Sequence, residues 1–157
     1  MSALLTKEIA QEAFRLARPS IEAFLQSPRS GDGERKGIHI VMLDPDDGSI
    51  LHEESFGDAD WAKAGGFEQL ARDKATQAYR DGVSGDRVKY ITPWRFRKGD
   101  VRYAGAAYED GLCIATSGLA DHLDSGPSWT VFNWAAILST DERVRFEKEH
   151  PGDRRFR

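Results

Sequence analysis

Few side chains in this chain have the type and spacing that binding or catalysis requires. Lys74 falls on an otherwise apolar helical stripe, four residues after Leu70 and four before Ala78. A lysine there either lays its stem on apolar surface and sends its ammonium to water, or aims a point charge at an anionic group such as a carboxylate. Ser117 and Gly118 close the apolar run Leu112-Cys-Ile-Ala115. A hydroxyl and free backbone amides at such a strand end are placed to hydrogen-bond a ligand, although Gly118 would equally let the chain leave the sheet. Gly105 sits in the row Ala104-Gly-Ala-Ala107. Glycine inside a strand marks a bulge or the close approach of another backbone or a ligand. No Gly-x-Ser-x-Gly elbow surrounds Ser117, so a nucleophilic serine is not expected.

The remaining candidates are scattered. His39, His52, His122 and His150 form no His-x-x-x-His pair, and a metal centre is not expected. His39 and His52 belong to the two strands of one hairpin, where register decides whether they meet or point apart. Asp44, Asp46 and Asp47 lack the twelve-residue calcium pattern with its closing glutamate. Arg95, Arg97, Lys98 and Arg102 flank Trp94, Phe96 and Tyr103. So small a basic patch, in a chain of net charge −4, is a poor case for nucleic acid. Trp61, Trp94, Trp129 and Trp134 read as core or subunit-contact material.

These residues need a scaffold to hold them. At 157 residues the chain suits one domain with a core of its own. Its single cysteine, Cys113, excludes an internal disulfide and reads as a buried, inert thiol. Apolar runs are too short for a membrane span, and the N-terminus does not read as a signal peptide. A cytoplasmic protein without membrane partners is the expectation.

Residues 4–26 read as a helix capped by Thr6, with Pro19 kinking it or opening a second one. A polar loop over 27–37 leads to a hairpin. Its first strand, Ile38–Leu43, is apolar enough to be covered on both faces. Its turn is Asp44-Pro-Asp-Asp-Gly48, and its second strand, Ser49–Phe56, lies nearer an edge. A helix entered at Asp58-Ala-Asp-Trp61 runs to about Arg80, weakened at Gly65-Gly66. Val88–Phe96 reads as a short strand or extended segment. Residues 102–117 read as a strand pair turning at Asp110-Gly111. Asp121–Pro127 reads as a turn, Pro127 as the first turn of a helix, and Ser139-Thr-Asp-Glu142 as the cap of a further charged helix. That order predicts an α+β fold with a single, mostly antiparallel sheet and helices packed on its faces.

Several of these stretches carry a family resemblance. Gly37-Ile-His-Ile-Val-Met-Leu-Asp44 with Gly48-Ser-Ile-Leu51 resembles the first hairpin of the GlcG/HbpS-like, or haem-degrading domain, family. Lys74-Ala-Thr-Gln-Ala78 resembles its Lys-Ala-x-Thr-Ala segment. Gly105 and the run from Gly111 to Gly118 resemble its closing strand pair. The Asp58–Trp61 start and the Ser117-Gly118-Leu119 end look like those of its short stand-alone subgroup. The match spans roughly residues 4–138, and the charged tail after Ser139 departs from it. It divides the chain into a domain over 1–139 and a C-terminal helix and tail over 140–157.

The resemblance implies a profilin-like fold, assembly into a homo-oligomer, and, as in some relatives, haem or another tetrapyrrole as ligand. The residues themselves point to a site of Lys74, Ser117, Gly118, Gly105 and His122, and for haem the candidate axial ligands are His122, in the loop after the Ser-Gly end, or His39. On that reading the partner is a small, anionic molecule and no catalysis is assigned. A haem- or cofactor-processing enzyme and an oligomeric interaction module without a small ligand are the alternatives.

Overall fold

In a computed structural model of the chain, residues 2–31 and 36–156 are described. Residues 32–35 of the polar loop lie outside them. A four-stranded sheet of β1 (Gly37–Leu43), β2 (Ile50–Gly57), β3 (Ala106–Glu109) and β4 (Leu112–Ser117) runs in the order β2-β1-β4-β3. Every neighbouring pair is antiparallel. The sequence-level expectation of an α+β fold with one antiparallel sheet therefore describes the molecule.

Two helix layers enclose that sheet. On one face lie α1 (Lys7–Gln26) and α5 (Asp121–Glu149), and on the other α2 (Ala59–Ala64), α3 (Phe67–Asp81) and α4 (Gly85–Tyr90). Alternation along β1 divides its side chains between the layers. Ile38, Ile40 and Met42 join Phe14, Ala17, Ile21 and Val131 in the main core. Val41 and Leu43 join Ala71, Ala75 and Ala78 of α3 in the second. All of β1 is buried, as its apolar run demands. Apart from Lys74, the buried face of α3 is alanine, so the helix can lie close to the sheet.

Local chemistry explains most boundaries. Thr6 caps α1 by accepting from Ile9 N–H at 3.3 Å. Asp58 caps α2 by accepting from Trp61 N–H at 2.9 Å. The β1–β2 turn closes with Asp44 N–H donating to Ser49 C=O at 2.7 Å and Gly48 N–H to Asp44 C=O at 2.8 Å. At the β3–β4 turn both Asp110 (φ 47°) and Gly111 (φ 92°) are left-handed, the geometry that Asp-Gly tolerates best.

Four expectations need correction. Residues 88–96 are not extended: Ser84 caps the short helix α4 by accepting from Arg87 N–H at 3.3 Å, and a 3-10 turn over Pro93–Arg95 follows. The middle helix is two helices, α2 and α3, because Gly65-Gly66 ends one and starts the other. Pro19 does not open a second helix; it lies within an unbroken α1, on its exposed side. The last two helices are one, α5, of 29 residues. It begins at Asp121 rather than Pro127. No new cap forms at Ser139-Thr140, because Thr140 Oγ1 donates back to Ala136 C=O at 2.9 Å.

Candidate functional site

Lys74 points from α3 at the sheet and is 4% exposed. Its amine does not reach bulk water. Nζ donates to Asp124 Oδ2 at 2.9 Å and to Thr116 C=O at 3.0 Å. Asp124 belongs to the first turn of α5, in the other helix layer, and is 1% exposed. Its second oxygen, Oδ1, accepts from Leu119 N–H at 2.9 Å.

Gly105 explains how two helices on opposite faces of a sheet can meet. A Cβ there would lie 2.7 Å from Asp124 Cβ, 2.8 Å from Thr116 O and 3.2 Å from Lys74 Nζ, and φ is +129°. The missing side chain makes a notch beside β4, and the Lys74–Asp124 pair fills it. Ser128 braces the same spot. Its Oγ donates to Gly105 C=O at 2.6 Å and lies 2.8 Å from Thr116 Oγ1. The close approach signalled by Gly105 is thus made by protein.

Burial is the largest influence on Asp124. It pushes the carboxyl up to about 6, against the opposing pull of the Lys74 ammonium and the Leu119 N–H. Asp121, one turn earlier, goes the other way. Lys89 and the Ala104 N–H hold it below the ordinary carboxylate value, outweighing its partial burial.

A cavity of about 420 Å³ opens onto this pair. Lys74, Asp124 and Ser117 form its polar side, Phe67, Leu70 and Leu119 its apolar side, and Tyr103, Ala120 and Asp121 complete the lining. Ser117 is 3% exposed, and among the described residues its hydroxyl has no hydrogen-bond partner. Lys74 spends only two of its three N–H donors. The site therefore holds two unused donors beside an apolar wall.

Of the residues expected at a site, Lys74 and Ser117 come together and Gly105 shapes the floor beneath them. Gly118 does not line the cavity; a Cβ on it would lie 2.5 Å from Gly37 O, so its close neighbour is β1. His122 is exposed on α5 and lines a separate groove of about 370 Å³ against α1, walled by Ile21, Phe24, Leu123 and Pro127. His39 is buried on the α3 side, with Nδ1 2.8 Å from Ser55 Oγ and Nε2 3.4 Å from Glu53 Oε2. His52 packs on Phe14 in the opposite layer, ring centres 4.6 Å apart, so the two hairpin histidines point apart. Cys113 is buried, its thiol pushed up to about 12 by burial. Trp94 is 77% exposed rather than core.

Asp124 is the functional residue that sequence reasoning missed. Its partner is fifty positions away. The available signal was the spacing Asp121-x-x-Asp124 just before an apolar helical run, which suits acids in a first turn.

With this geometry in hand, comparison with known proteins bears on the fold. No family model matches the chain, and no curated protein matches it. Two solved structures share its architecture. The crystal structure of Ybr137w superposes with a TM-score of 0.56 at 17% identity, covering 83% of this chain and 78% of that one. A double mutant of HbpS from Streptomyces reticuli gives a TM-score of 0.54 at 22% identity, covering 85% and 86%. Identities this low carry the fold alone. They support an HbpS-like fold, while the GlcG part of the resemblance has no sequence support. Among the described residues no helix is long and apolar enough to cross a membrane, and no group of three or more His, Cys, Asp or Glu is placed to hold a metal ion.

Haem, which the resemblance implies, needs an axial ligand and a home for its carboxylates. The cavity holding Lys74 contains no imidazole. The groove holding His122 contains no lysine or arginine. The candidate residues do not fit a haem in either place.

Proposed function

We propose that the chain is a small-molecule-binding protein whose ligand seats in the cavity over Lys74 and Ser117. The supporting observation is the Ser117 hydroxyl, almost fully buried, without a partner among the described residues, and facing that cavity. A ligand acceptor can take a hydrogen bond from that hydroxyl, and Phe67, Leu70 and Leu119 reward an apolar body beside it.

The test uses probes of one shape. 2-Naphthamide, 2-naphthoate and 2-naphthylmethylamine are each titrated into ¹⁵N-labelled protein. Amide signals of Phe67, Leu70, Ser117 and Leu119 should move with at least one probe and stay still in an Ala120→Trp variant, which narrows the cavity. Silence at those amides with all three probes ends the reading. Hemin is a fourth titrant, and no saturable Soret shift is expected from it.

A further inference from the structure

Resting on that reading, we infer that the cavity selects a neutral ligand bearing a carbonyl-type acceptor over the matching carboxylate. The charges around it are already balanced. Lys74 holds Asp124 at 2.9 Å, and Lys89 holds Asp121. Of these four groups, two carboxylates but only the Lys74 ammonium line the cavity. An arriving anion meets no unpaired cation there, faces two like charges, and sheds its hydration in exchange for no new ion pair.

Both Asp124 oxygens already accept, Oδ1 from Leu119 N–H and Oδ2 from Lys74. Asp121 is engaged through Oδ2 by Lys89 and the Ala104 N–H. The site also has donors to spare: the third N–H of Lys74 and the hydroxyl of Ser117. A carbonyl oxygen has two lone pairs and can accept both. Ketone, ester and amide groups on an aromatic or alkyl body share this chemistry.

The amide and carboxylate probes decide it, at pH 8, where Asp124 is ionised. 2-Naphthamide should bind at least tenfold more tightly than 2-naphthoate. Ser117→Ala should weaken 2-naphthamide by about fivefold, as expected for one neutral hydrogen bond, with urea unfolding checking that the fold is kept. Ser117→Thr should retain most of the affinity, because it keeps the hydroxyl. Equal or tighter binding of the carboxylate overturns the inference while leaving the cavity as a binding site. Unchanged 2-naphthamide affinity in Ser117→Ala also overturns it. No response to any probe overturns the underlying reading instead.

Discussion

Replacing Lys74 with methionine should make the stability of this protein depend on pH in a way that reveals Asp124. In the parent, burial lifts Asp124 from the usual 3.8 to about 6. A carboxyl whose folded value is raised binds its proton more tightly folded than unfolded. Its contribution is therefore most favourable below the unfolded value and is lost as pH rises through the folded one. For the parent this loss is roughly 3 kcal/mol, spread between about pH 4 and pH 6. Above pH 6 the parent curve is flat in this group. Methionine fills the space of the lysine stem but removes the ammonium 2.9 Å from Asp124 Oδ2. The folded carboxyl then holds its proton to still higher pH, and stability keeps falling by about 1.4 kcal/mol per pH unit. Between pH 4 and pH 6 both proteins carry the same slope, so the gap between them is constant there. It should open by about 1.4 kcal/mol at pH 7 and about 2.7 kcal/mol at pH 8. Urea unfolding of both proteins at pH 5, 6, 7 and 8 measures it. A gap that stays constant to pH 8 refutes the reasoning. A gap that opens on the acid side, below pH 4, would mean that the ammonium outweighs burial and holds Asp124 down.

Two further substitutions or modifications probe the same region and its neighbour. Gly105→Ala combines a φ of +129° with a Cβ placed 2.7 Å from Asp124 Cβ. It should cost roughly 2–5 kcal/mol in thermal unfolding, and a loss under 1 kcal/mol would show that the notch has room. Cys113, its thiol donating to Ala75 C=O at 3.2 Å and pushed up to about 12, should not react with a thiol reagent at pH 8 until urea unfolds the chain. Rapid labelling of native protein would contradict its burial.

Legibility in the sequence followed the range of the interactions. Turns written in adjacent residues, such as Asp44–Gly48 and Asp110-Gly111, are where they were expected. So is β1, whose run of apolar residues admits little but a covered strand. Val88–Phe96 misled because a six-residue helix leaves too few turns for a helical period to show. The unity of α5 was hidden by two local signals that tertiary context overrides. Pro127 reads as a helix start and Ser139-Thr140 as a cap, yet helical packing on α1 and β4 continues past the first, and the Thr140 hydroxyl bonds backwards. Lys74 stood out by type and position. Its actual role did not, since an ammonium on an apolar stripe announces that it needs a partner but not which of many carboxylates will supply it.

The 29 residues of α5 span about 43 Å at the helical rise, whereas the seven of β1 span about 23 Å. The helix cannot end level with the sheet. Past Leu138 it adds nothing to the main core, and it is laced instead by Arg143–Glu147 and Arg145–Asp141 ion pairs along its own side. That makes it a stiff outrigger. Anything attached beyond residue 149 would be carried at a fixed bearing and stand-off from the domain, as on a boom, rather than trailing on a tether.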